Sequence, residues 1–197
     1  FTTTLAGALV EEGVARWFDE TVISPLETME TEVERLTDEQ RAALDGVIEK
    51  IDTGKFAPML LHGVTGSGKT EIYLRALRKV LERGKRGLVL VPEISLTPQT
   101  VRRFRRAFPE ETVAVLHSMQ GASERARQWR EIQNGQAGVL IGARSAGFSP
   151  VRDLGLIVVD EEHDAAYKQQ EAPRYHARDL ALVLGDRLGV PVLMCSA

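Results

Sequence analysis

The sequence predicts an α/β fold, a parallel sheet with helices on both faces. Three observations carry that prediction. Short apolar runs such as Leu156-Ile157-Val158-Val159 are continuous rather than alternating, so both faces of each strand must be covered. Segments of helical period lie between those runs, so strands and helices take turns along the chain. The 197 residues are 43% hydrophobic and 27% charged, the balance of an ordinary folded chain rather than a disordered or fibrous one.

Each element has a local reason. Thr37-Asp38-Glu39-Gln40 has the form of a capping box, and Ala43, Leu44, Val47, Ile48 and Ile51 follow at helical spacing. Gly54 ends that helix. Met59 to His62 reads as a strand and residues 69–82 as a helix; Leu88 to Val91 is the next strand. Thr97 and Pro98 supply an N-cap and a first-turn proline for a helix through Phe108. Val113 to Leu116 is a strand, and a helix runs from Ser123 to near Gly135. Val139 to Ile141 and Leu156 to Val159 are strands; residues 177–188 are a helix and Val192 to Met194 a last strand. Upstream, residues 5–12 read as a helix end closed by Gly13, and Val14 to Phe18 as a short strand. Residues 24–35 are acidic, contain Pro25 and read as a linker, and the main domain opens at Leu36.

The formal net charge of −3 hides an asymmetry. Residues 11–40 carry ten acidic and two basic groups, whereas residues 41–197 carry 23 basic and 18 acidic ones. A mildly basic main domain permits an anionic partner without demanding one. The single cysteine, Cys195, excludes an intramolecular disulfide framework and a Cys-rich zinc site within these residues. No run of 18 apolar residues is present, so no membrane-spanning helix and no membrane partner are expected. The start at Phe1-Thr2-Thr3-Thr4 and the end at Met194-Cys195-Ser196-Ala197 lead us to expect a longer parent chain.

Gly63-Val64-Thr65-Gly66-Ser67-Gly68-Lys69-Thr70 matches the phosphate-loop pattern G-x-x-x-x-G-K-[ST] in full. By average residue usage, a chain this long would show that pattern by chance with a probability on the order of one per cent. It also stands between an apolar strand and an amphipathic helix. Glycines let successive N–H groups turn toward one anion, and the helix start adds partial positive charge. Lys69 can reach the β- and γ-phosphates of a nucleotide, and Thr70 can place its hydroxyl on Mg²⁺. A second acidic site, Asp160-Glu161, ends the run Leu156 to Val159. A carboxylate at that end of a parallel strand lies in the crevice where ligands bind. Asp160 is expected to hold Mg²⁺ through its water shell, and Glu161 to orient and activate the attacking water.

The phosphate loop with Asp160-Glu161-Glu162-His163 resembles the first RecA-like lobe of a superfamily 2 helicase. Further segments resemble one family, the primosomal protein N′ (PriA) helicases of replication restart. Gly63 to Glu71 resembles its motif I, Val91-Pro92-Glu93-Ile94-Ser95-Leu96-Thr97-Pro98-Gln99 its motif Ia, and Gly142 to Ala146 its next DNA-side motif. Asp160 to Asp164 resembles motif II, Tyr167 to Gln170 with Arg174 to Asp179 the aromatic-rich loop, and Cys195-Ser196-Ala197 the opening of motif III. The resemblance is close over residues 36–197. Residues 1–23 resemble, loosely, the end of the winged-helix domain that precedes the helicase core.

The resemblance implies roles. Gln40 is similar to the adenine-reading glutamine of the family; capping of its own helix is the competing role. Pro92, Glu93, Ser95, Thr97 and Gln99 resemble a segment that touches DNA backbone, where small hydroxyls and a helix start suit phosphate oxygens; capping by Thr97 competes. Arg144 and Ser145 resemble a second backbone contact, with an internal ion pair as the competitor for Arg144. His163 is expected to couple the nucleotide site to neighbouring motifs. In the aromatic-rich loop, Tyr167 and Tyr175 are expected to stack on unpaired bases or, with Lys168 and Arg174, to couple DNA contact to Asp160 and Glu161. Pro173 stands where some members carry Trp or Phe. The arginines of Arg102-Arg103-Phe104-Arg105-Arg106 fall on several helix faces and read as solvated surface, and Trp129 reads as a packing residue.

The whole protein would then be a bacterial, cytoplasmic, nucleoid-associated ATP-dependent 3′-to-5′ DNA helicase, using ATP and Mg²⁺. It would act on forked and single-stranded DNA with primosome and single-strand-binding proteins. A second lobe would supply an arginine finger and the family's zinc-binding cysteines. Without it, these residues are expected to bind Mg-nucleotide weakly and to unwind nothing. Another superfamily 2 translocase, or a nucleotide-dependent docking module without turnover, are the rival readings.

Overall fold

A computed structural model describes residues 35–197. The expected winged-helix remnant at 1–23 and all but the last residue of the expected linker lie outside the described residues. The unit that carries the motifs runs from Leu36 to Ala197.

In chain order the elements are α1 (Asp38–Thr53), β1 (Pro58–His62), α2 (Lys69–Glu82), β2 (Arg86–Leu90), α3 (Pro98–Ala107), β3 (Thr112–Leu116), α4 (Ala122–Gln133), β4 (Ala137–Gly142), β5 (Leu154–Val159), α5 (Ala177–Leu188) and β6 (Val192–Ser196). Three single 3-10 turns, Glu93–Ser95, Arg144–Phe148 and Ala165–Tyr167, follow strands β2, β4 and β5. The six strands form one sheet in the order β1-β6-β5-β2-β4-β3, and every neighbouring pair is parallel.

The starts and stops follow the local chemistry. Thr37 caps α1 through the full capping box, and Gly54 closes it in the left-handed conformation. Thr97 accepts from the Thr100 N–H at the head of α3, with Pro98 in the first turn. His176 caps α5 through its ring, and Gly189 ends it.

Two cores sandwich the sheet. Residues such as Val89, Ile141, Val158 and Leu193 face α1, α2 and α3, where Leu44, Val47, Leu77, Val80 and Phe104 are buried. Their strand neighbours Leu88, Leu140, Ile157 and Val192 face α4 and α5 through Ile132, Ala177 and Ala181. The central strands are apolar at every position because each of these faces is covered. β1 departs from that expectation. It is an edge strand with a single partner, its burial alternates, and Leu60 is 60% exposed. Trp129 is a second correction: it is 39% exposed, while Gln128 and Ile132 turn inward from α4. Gln128 is buried because its amide oxygen accepts the Val115 N–H and its nitrogen donates to Glu124.

Candidate active site

Because all strands run the same way, their carboxyl ends lie along one edge of the sheet, where α/β folds bind ligands. The loops after β1 and β5 and the end of β6 form one end of that edge. The loops after β2, β3 and β4 form the other.

At the first end, the phosphate loop leaves β1 with the Gly63 N–H donating to the Ser196 carbonyl at 3.1 Å, so it is hooked onto β6. Gly66 and Gly68 have φ of 81° and 85°, a conformation in which a side chain is strained. At Gly68 a Cβ would also stand 2.4 Å from the Gln40 amide nitrogen. Gly68 is the N-cap of α2 and offers no side chain to its first N–H groups, which leaves that helix start able to receive an anion. The Lys69 ammonium lies inside the loop's curve, donating to the carbonyls of Gly63 and, at 3.0 Å, Val64.

Gln40 serves both the helix and the loop. Its oxygen accepts the Thr37 N–H at 2.9 Å in the capping box, and its nitrogen donates to the Ser67 carbonyl at 2.8 Å. One N–H and one lone pair of the amide remain.

Asp160 continues β5, donating its N–H to the Leu90 carbonyl at 2.9 Å. One of its carboxylate oxygens accepts the Glu161 N–H at 3.1 Å and the other the Tyr73 hydroxyl at 3.1 Å. Burial raises its pKa; the Tyr73 hydroxyl, the Glu161 N–H and the positive charges of Lys69 and Arg103 hold it back. Glu161 takes a left-handed φ of 45° and is exposed, so the turn presents its side chain to solvent. His163 Nδ1 lies 3.1 Å from the Ser196 hydroxyl, joining the Asp-Glu-Glu-His segment to the end of β6. Glu162 is tied to Arg178 at the head of α5 at 3.0 Å. The hydroxyl of Thr70 and the carboxylate of Asp160 are the hard oxygen donors that suit Mg²⁺.

At the other end of the edge, a cleft of about 310 Å³ is lined by Pro92, Glu93, Ser118, Arg144, Ser145 and Tyr175, among others. Glu93 accepts both the N–H and the hydroxyl of Ser118. Those bonds hold the Glu93 carboxyl below the usual carboxylate range, with Arg144 and His117 assisting and partial burial opposing. Arg144 donates to the carbonyls of Ala166 at 3.1 Å and Lys168 at 2.8 Å; no carboxylate partner was found for it among the described residues. Ser95 accepts the Thr100 hydroxyl through its carbonyl, and Gln99 and Ser145 are exposed.

Tyr167 corrects one expectation. Its side chain is 0% exposed, and its hydroxyl lies between the carbonyls of Leu90 and Asp160 at 2.9 and 2.5 Å, so its ring is not presented for base stacking. Tyr175 is half-buried and meets Phe148 edge to face at 5.0 Å, and Phe148 is exposed. Lys168 and Arg174 are exposed; Lys168 pairs with His176 through its backbone, and the Arg174 guanidinium donates to the Gln170 carbonyl.

Three residues of the site escaped the sequence. Tyr73 lies three positions beyond Thr70, on the same face of α2, and that spacing was the available signal. Ser118 follows the carboxyl end of a parallel strand, which alone marked it as edge-facing. Phe148 follows the segment Gly142 to Ala146 that resembles the DNA-side motif, but its pairing with Tyr175 joins residues far apart in sequence.

The sheet order, the phosphate loop and the carboxylate after β5 define a P-loop lobe of RecA-like architecture. Residues 37–197 match the family model described as DEAD/DEAH box helicase, and the chain belongs to that family. It is 50% identical over 167 residues to the replication restart protein PriA of Bacillus subtilis, covering 85% of this chain and 21% of that protein. It is 54% identical over 142 residues to the PriA of Haemophilus influenzae, covering 72% and 19%. The chain thus spans about a fifth of the length of these relatives. Among solved structures, RecG bound to a three-way DNA junction is similar with a TM-score of 0.64 at 23% identity, over 100% of this chain and 23% of that one. The Hef helicase domain of Pyrococcus furiosus is similar with a TM-score of 0.52 at 20% identity, over 81% and 32%. At those identities the structural likeness establishes the fold. No helix among the described residues is long and apolar enough to cross a membrane.

Proposed function

We propose that the chain is the ATP-binding first lobe of an ATP-dependent 3′-to-5′ DNA helicase of replication restart. The observation that carries the reading is the meeting of a complete phosphate loop with Asp160 through Tyr73, in a chain about half identical to PriA proteins. Replication restart, forked and single-stranded DNA, primosome and single-strand-binding partners, and a bacterial cytoplasmic setting at the nucleoid come to the chain from that likeness. A second lobe completing the site with an arginine and carrying the zinc cysteines belongs to the same proposal, as does the inability of residues 1–197 alone to unwind DNA.

The chain's own groups divide the work. The N–H groups at the head of α2 and the Lys69 ammonium receive the phosphates. Thr70 and Asp160 hold Mg²⁺, which when bound neutralises charge on the β- and γ-phosphates. Glu161, exposed beside Asp160, orients a water and accepts its proton. Gln40 keeps one donor and one acceptor for the adenine edge while it braces the loop. Thr97, Gln99, Ser145 and the cleft beside Glu93 contact nucleic-acid backbone. Arg144 grips the 166–168 loop, and Tyr167 carries that loop to the Asp160 carbonyl, a path of direct bonds for coupling DNA contact to hydrolysis.

The test is fork-stimulated ATPase of the full-length protein, two lobes included, with and without Lys69→Ala. We expect stimulation by forked DNA in the wild type and at least a ~100-fold loss in the variant. Equal activity of the two would overturn the reading.

A further inference from the structure

The Tyr73 side chain is 2% exposed, yet its hydroxyl reaches the carboxylate of Asp160, a residue 87 positions away. The ring is held from behind by Phe104 of α3, stacked with centroids 6.2 Å apart. Burying a phenol without partners is costly, so the hydroxyl must be satisfied inside the fold. The O–H donates to Asp160 at 3.1 Å. Burial, first, and then the Asp160 charge raise the Tyr73 pKa, so the phenol keeps the proton it donates.

Asp160 has each oxygen fixed by one donor, the Glu161 N–H and the Tyr73 hydroxyl, which sets the plane of the carboxylate. The carboxylate is thus oriented as an acceptor, which a hard divalent cation requires.

Resting on the nucleotide reading above, we propose that Tyr73 is a positioning residue for the divalent cation, its hydroxyl orienting the Asp160 carboxylate. It touches neither the nucleotide nor the cation; it acts through the side chain that does.

The experiment titrates N-methylanthraniloyl-ADP fluorescence against the full-length protein, first in chelator and then with increasing Mg²⁺. For Tyr73→Phe we expect metal-free nucleotide affinity within about twofold of wild type and an Mg²⁺ half-saturation raised ~10-fold, the scale of losing a group that orients metal ligands. Phe104→Leu loosens the ring stack but keeps the hydroxyl, so its Mg²⁺ half-saturation should stay at the wild-type value while its thermal stability falls. An unchanged Mg²⁺ half-saturation in Tyr73→Phe would overturn the proposal. So would equal shifts in both variants, which would make packing the cause. A wild-type chain that binds no nucleotide would overturn the nucleotide reading itself, and this inference with it.

Discussion

The two ends of the sheet's carboxyl edge each hold a carboxylate, and the fold treats them in opposite ways. Asp160, after β5, is pushed toward its neutral form by burial. Glu93, after β2, is held in its charged form by hydrogen bonds from Ser118. At the nucleotide end the chain keeps a charge in a partly buried place, which the Tyr73 hydroxyl, the Glu161 N–H, Lys69 and Arg103 offset only in part. At the cleft end the charge is already satisfied by its own neighbours and serves to fasten two loops. One carboxylate is prepared for a ligand, and the other is part of the frame. Strain follows the same division, since Glu161 beside Asp160 takes a left-handed φ while Glu93 lies in an ordinary 3-10 turn.

The comparison is broken most severely by removing the group at the nucleotide end that has no framing role. Glu161 is exposed, and no side-chain partner was found for it among the described residues. Glu161→Gln should lower the DNA-stimulated ATPase turnover by ~100-fold or more, the scale of losing a general base. Nucleotide affinity should stay near wild type. If affinity and turnover fall together, Glu161 belongs to the frame and the contrast with Glu93 fails.

A smaller effect of opposite sign sharpens the contrast. Asp160→Asn removes a partly desolvated charge while its amide oxygen can still accept from Tyr73 or Glu161. In the absence of Mg²⁺ and nucleotide it should stabilise the protein by about 1 kcal/mol at neutral pH, a stability gain made at the expense of function. Glu93 offers no such gain, because its charge is the form the neighbours bind. Urea unfolding of the metal-free proteins reads this, and a destabilised Asp160→Asn would place Asp160 in the frame.

Motifs made of neighbouring residues were legible in the sequence; contacts between distant ones were not. The capping box, Pro98 at the head of α3, the phosphate loop and the apolar strands all follow from spacing within a few residues. Those local rules were enough for the parallel sheet and for most of the nucleotide end, where the backbone itself forms the site. They failed where position depends on a partner elsewhere. Leu60 sits in an apolar run like the others, but the sheet order makes β1 an edge. For Tyr167, expected either to stack on bases or to couple DNA contact to Asp160, the sequence cannot reveal the carbonyl of Leu90, 77 positions away, that takes its hydroxyl and keeps the ring buried. The cleft end consists mainly of such bonds, Glu93 to Ser118 and Arg144 to Lys168, each joining residues about 25 apart.

The smallest expected effect probes one of those bonds directly. Ser118→Ala deletes the hydroxyl that does most to lower the Glu93 pKa and leaves the Ser118 N–H in place. A carboxylate with a depressed folded-state pKa contributes stability that is present above its unfolded pKa and lost as the pH falls through the folded value. The gap between wild type and Ser118→Ala should therefore be present at pH 7, below about 1 kcal/mol because Glu93 is exposed to water. It should shrink as the pH falls below the ordinary glutamate range, where the carboxylate takes up its proton. Chemical unfolding at a series of pH values measures it. A gap that persists unchanged into acid would mean that Ser118 acts through packing. Glu93 would then be an ordinary surface carboxylate, and the opposition between the two ends of the edge would reduce to the burial of Asp160 alone.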